Sequence, residues 1–114
     1  AFMKQTTIRD RMRQKDTETY LGEPQWWIPL ASGRSVEITF ETAGFTLTTR
    51  YCSIRLHCTE EEFDDDIRSG TCGIIDENCT RNISYRSEDE LFDEAATIAE
   101  KLIAKHHETI KEEE

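Results

Sequence analysis

The chain has 114 residues, with 14 lysines and arginines against 24 aspartates and glutamates, a formal net charge of -10. That length suits one domain with one modest core. No apolar run nears the ~20 residues of a membrane helix, and the charge is opposite to a nucleic-acid-binding footprint. Five glycines and two prolines exclude collagen-like or linker-like chains, and periodic apolar residues argue against wholesale disorder.

Ala1 and Phe2 precede Met3 and read as an expression remnant. Residues 3–22 then form a basic N-terminal arm or helix, and 23–114 a single domain. No apolar signal core follows Met3, so a cytoplasmic protein is expected. In the arm Lys4, Arg9, Arg11, Arg13 and Lys15 outnumber Asp10, Asp16 and Glu18. Ile8, Met12 and Tyr20 give a thin apolar stripe, which fits a marginal helix or a flexible arm. Pro24 ends anything helical before it, because the residue preceding a proline is pushed out of the helical region.

The centre changes period. Trp26, Trp27, Ile28 and Leu30 form a short apolar run, and Gly33 supplies the positive φ that a hairpin loop needs. Val36, Ile38 and Phe40 then alternate with Glu37, Thr39 and Glu41, the pattern of a half-buried strand. Phe45, Leu47, Thr49 and Tyr51 resume the alternation, after which the phase moves to Cys52, Ile54, Leu56 and Cys58. Such a shift flips the buried face and predicts a bulge or sharp bend near Arg50–Cys52. Thr59 to Glu62 is a capping-box pattern for a short helix in which Phe63 and Ile67 turn inward, with Gly70 closing it. Residues 71–86 read as a hairpin turning at Asp76-Glu77-Asn78. The last element is the clearest: Leu91, Ala95, Ile98, Ala99, Leu102, Ile103 and Ile110 form one helical stripe, with Lys101, Lys105 and Lys111 toward its end. The expected fold is α+β. It has an antiparallel sheet of four to five strands, a meander plus a hairpin, with the long C-terminal helix across one face and the short acidic helix at the edge.

The order of helix, three strands and helix loosely resembles a double-stranded-RNA-binding domain. That family grips phosphates with lysines at the start of its last helix, whereas this chain has Glu88, Asp89, Glu90, Asp93 and Glu94 there. The chain is not assigned to it.

Two features stand out as partner-binding candidates. Glu60, Glu61, Glu62, Asp64, Asp65 and Asp66 crowd carboxylates that repel one another at helical spacing. That is more than solubility requires, and it suits a basic partner. Trp26 and Trp27 are adjacent on a strand, so at most one faces the core and the other can anchor an interface. Arg34, Arg50, Arg55 and Arg68 are candidate anion contacts. Cys52, Cys58, Cys72 and Cys79 fit no zinc spacing and read as buried thiols. Adjacent His106 and His107 diverge on a helix and do not suit one ion. No metal, cofactor or catalytic residue is expected, since no phosphate loop, nucleophile elbow or metalloprotease motif occurs.

The sequence therefore points to a non-catalytic acidic module with a phosphate-mimicking surface. It would bind and inhibit a basic nucleic-acid-binding protein, as small phage or bacterial accessory proteins do. It would touch neither nucleic acid nor membrane directly. The alternative is a homodimer that binds a nucleotide-like anion through the four arginines.

Overall fold

A computed structural model describes residues 7–13, 18–20, 23–42, 50–63, 73–80 and 88–112. Five strands among them form one antiparallel sheet in sequence order: β1 (Glu18–Tyr20), β2 (Glu23–Pro29), β3 (Ser35–Thr42), β4 (Arg50–His57) and β5 (Ile74–Thr80). A short helix α1 (Ile8–Met12) precedes the sheet, and the long helix α2 (Glu88–Lys105) follows it. The fold is α+β, with the C-terminal helix packed on one face of an antiparallel sheet.

The alternation in β3 builds the core. Val36, Ile38 and Phe40 are fully buried on one face. In register, Ile38 lies between Trp26 and Ile54, and Val36 between Ile28 and Leu56. Leu91, Ala95, Ala96, Ala99, Leu102 and Ile103 of α2 join the same cluster. Each large apolar side chain removed from water there contributes roughly 1.5–3 kcal/mol. Trp26 meets Phe40 and Phe92 edge-on, at centroid distances of 5.6 and 5.2 Å. The β2–β3 turn closes through the Leu30 N–H donating to the Arg34 carbonyl at 2.8 Å. Gly33 sits there at φ 95, a conformation that a β-carbon would strain.

Several expectations need correction. Part of the basic arm is the helix that was one of its two expected forms: Thr7 and Asp10 form a capping box, and Ile8 and Met12 are buried. Its cations turn onto the protein itself, Arg9 to Asp93 at 3.3 Å and to Thr97 at 3.1 Å, and Arg11 to the Lys111 carbonyl at 3.0 Å. Residues 18–20 are a strand, with Thr19 opposite Pro24. A proline suits that position in the outer part of a sheet, where a ladder hydrogen bond is least missed.

The predicted hairpin at Asp76-Glu77-Asn78 is instead the middle of β5, paired with Leu56, Arg55 and Ile54. Turn-forming residue types occupy a strand here because Asp76 and Glu77 find cationic partners. The bulge is not at Arg50–Cys52 either. The β3–β4 register runs unbroken from Thr42 opposite Arg50 to Ser35 opposite His57, and the irregularity lies between Leu56 and His57 against β5. The run Phe45–Thr49 lies outside the described residues, as do Ile67, Gly70 and Cys72.

Phe63 is 40% exposed rather than turned inward. The C-terminal stripe also ends earlier than predicted. His107 adopts φ 54, and the Glu108 N–H donates to the Ile103 carbonyl at 2.9 Å, which stops the helix. Ile110 is then bridged to Leu30, with the Lys111 N–H donating to the Pro29 carbonyl at 2.9 Å. A residue five positions past the end of the helix is partly buried by the sheet instead.

Candidate functional site

One face of the sheet is consumed by the core, and both described helices pack there. The opposite face carries the alternate residues. One register row runs Trp27, Glu37, Arg55, Glu77 across β2 to β5. Beside it lie Gln25, Thr39 and Ser53, and on the other side Ser35 and His57.

This face is not simply wet. Glu37 is 6% exposed, and Thr39 and Ser53 are buried with it. The cover comes from the sheet's own side chains. Trp27 from β2 and His57 from β4 reach toward each other over β3, and their rings meet at a centroid distance of 4.7 Å and an angle of 43°. Beneath that roof Glu37 Oε1 lies 2.7 Å from His57 Nε2. Its Oε2 accepts from the Thr39 hydroxyl at 2.6 Å and from Gln25 Nε2 at 3.3 Å, with Arg55 Nη1 at 3.8 Å. Gln25 Nε2 also donates to Thr39 Oγ1 at 3.1 Å, and Arg55 Nε to Glu77 Oε2 at 3.2 Å. Burial pushes the Glu37 carboxyl up, but the Thr39 and His57 hydrogen bonds and the His57 and Arg55 charges outweigh it, leaving the pKa below its ordinary value. A buried carboxylate is tolerated only when satisfied in this way.

The network has a clear mechanical consequence. Glu37 fixes the His57 ring, and the His57 ring fixes Trp27, which remains 46% exposed. A carboxylate-held imidazole is also the orienting half of a general base. Two cavities lie elsewhere. A groove of about 680 Å³ runs between Ile8, Ile103 and the segment 108–112, and a small void lies beside Phe92.

The residues singled out in the sequence fare differently. Trp26 is 6% exposed and belongs to the core, while Trp27 reaches the surface. Glu60 and Glu61 are exposed at the start of the helical turn 60–63. Glu62 is turned back into the fold. It completes the capping box with Thr59 and accepts from Arg34 Nε at 3.0 Å and Nη2 at 2.7 Å. The Arg34 hydrogen bonds, opposed in part by burial and joined by those from Thr59, pull its carboxyl down to about 2. Asp64, Asp65, Asp66 and Arg68 lie outside the described residues, as does the Arg50 side chain. Arg34 also reaches Glu108 at 3.5 Å, and Glu62 above all raises its pKa. Arg34 and Arg55 are thus both engaged with carboxylates, in separate ion pairs.

Sequence reasoning missed the cluster itself. Glu37, Thr39 and His57 carry only the signal of polar residues alternating with buried ones, which reads as a solvent face. It also missed Asp76, which takes His106 Nε2 at 2.8 Å and Lys105 Nζ at 2.9 Å and ties the end of α2 to β5. Those contacts, His106 first, pull Asp76 down to about 2. Among the described residues, Cys52 and Cys58 carry thiols, no group of three or more metal-type ligands converges, and no helix is long and apolar enough to cross a membrane. Compared with protein-family models, curated proteins and solved structures, the chain matches none of them.

Proposed function

We propose that the protein is a non-catalytic, cytoplasmic binding module that docks a basic protein and competes with the nucleic acid that this partner would otherwise hold. The observation that carries the reading is Trp27, a large aromatic held half exposed on the sheet face opposite the helices. Exposed aromatics with a fixed orientation make efficient anchors, because little side-chain freedom is lost on binding. The surroundings favour a cationic partner. Glu37, Glu60, Glu61, Glu62, Glu77 and Glu108 are answered by Arg34, Arg55 and His57, which leaves an excess of carboxylate at this end of the sheet. The net charge of -10 adds a long-range field that speeds encounter and is screened by salt.

The reading is tested by binding to an arginine-rich peptide at low and high salt. Affinity should fall steeply with salt, and the double substitution Glu60→Lys, Glu61→Lys should weaken binding and flatten that slope. Unchanged affinity and slope in the double variant would count against the acidic surface. The thiols of Cys52 and Cys58 accord with a reducing compartment.

A further inference from the structure

We infer that the outer face of Trp27 receives an arginine side chain of the partner, and that the buried Glu37–His57 pair holds the indole in position for it. This rests on the reading of the protein as a module for a basic partner, and it adds which group binds and where.

The geometry supplies the argument. His57 covers one side of the Trp27 ring at 4.7 Å, and the residue is still 46% exposed, so the surface left is the side away from His57. An aromatic face attracts a cation through its quadrupole. A guanidinium suits it better than an ammonium, because it is planar, weakly hydrated and able to stack. The imidazole meets the indole at a tilt of 43°, and an incoming guanidinium would lie on the open side of the indole. The net charge of -10 favours a cation over a neutral aromatic.

The position of the indole is specified from below. Its neighbour His57 is held by Glu37 at 2.7 Å, and Glu37 is held in turn by Thr39 and Gln25. Burying a carboxylate under an otherwise polar sheet face is an expensive way to make a stable sheet. It is an effective way to stop a surface tryptophan from sampling other rotamers, and a pre-positioned anchor binds more tightly than a mobile one. Glu37 and His57 are therefore positioning residues that do not themselves touch the partner.

The test uses arginine-rich and lysine-rich peptides of equal length and charge, with the Trp27 indole N–H followed by NMR in the whole protein. The arginine peptide should move that resonance and bind several-fold tighter than the lysine peptide. Trp27→Ala should weaken arginine-peptide binding about tenfold and abolish the preference. His57→Ala should lose the preference as well, whereas His57→Phe, which keeps a ring against the indole, should retain much of it. A general loss of folding would not separate the two peptides in this way. If the arginine peptide binds with the indole resonance unmoved and Trp27→Ala binds as the parent does, the inference fails while the acidic-module reading stands. If neither peptide binds even at low salt, the module reading fails with it.

Discussion

The two faces of the sheet are built from the same strands and held by different physics. On the helix-covered face, Val36, Ile38 and Phe40 of β3 are removed from water by α2 and by their neighbours in the sheet. On the other face, one residue along, Glu37 and Thr39 are equally buried, but by hydrogen-bonded side chains of the sheet itself. The first arrangement is non-directional and tolerant of detail. The second depends on specific distances and holds one aromatic, Trp27, at the surface. A core face needs only volume and hydrophobicity, whereas a face that orients a side chain needs a connected polar network.

Substitutions should separate the faces. The largest effect is expected at Phe40, the bulkiest fully buried side chain, where Phe40→Ala should cost about 3–5 kcal/mol in denaturant unfolding. Less than ~2 kcal/mol would mean that the helix-covered face is looser than described. Next is Glu37→Ala, which strands the partners of a buried carboxylate and should cost about 1–3 kcal/mol. It should also broaden or shift the Trp27 indole resonance, a change that Phe40→Ala need not make while the protein stays folded.

A third effect belongs to the ion pair that ties the turn 60–63 to the β2–β3 turn. Glu62 titrates near 2 in the folded protein against an ordinary 4.5. Its contribution is therefore full above the ordinary value and is lost as the pH falls toward 2. Stability should decline across that interval, and Glu62→Gln should flatten the decline. Asp76, also near 2, titrates in the same range and should keep some slope in the variant. A profile unaltered by Glu62→Gln would show that the pair with Arg34 does not contribute in solution. The smallest effect on stability is expected at Trp27→Ala, about 1 kcal/mol or less, because the ring is half exposed. A large loss would make Trp27 a structural residue rather than an anchor.

The covered face was legible in the sequence because apolar periodicity reports burial directly. The alternation of β3 and the stripe of α2 have that origin, while Gly33 was legible because the turn needs a positive φ. The division between Trp26 and Trp27 follows from the opposite directions of adjacent strand residues. The uncovered face was not legible, because Glu37, Thr39 and His57 show the same polar alternation whether solvated or bound to one another. Only the register, which puts His57 opposite Ser35 and beside Glu37, separates the two cases. Asp76 and Glu77 misled for the same reason: their residue types favour turns, and their partners Lys105, His106 and Arg55 are distant in sequence. Ile110 has the spacing of a helical stripe but is partly buried beside Leu30, after the left-handed turn at His107.

The most direct test of the account is a chemical-shift map of the whole protein titrated with the arginine-rich peptide. The account predicts shifts concentrated at Gln25, Trp27, Arg55, His57, Glu60 and Glu61. It predicts little change along the exposed side of α2, at Glu94, Glu100 and Lys101. Shifts concentrated on α2, with Trp27 and His57 unmoved, would contradict it.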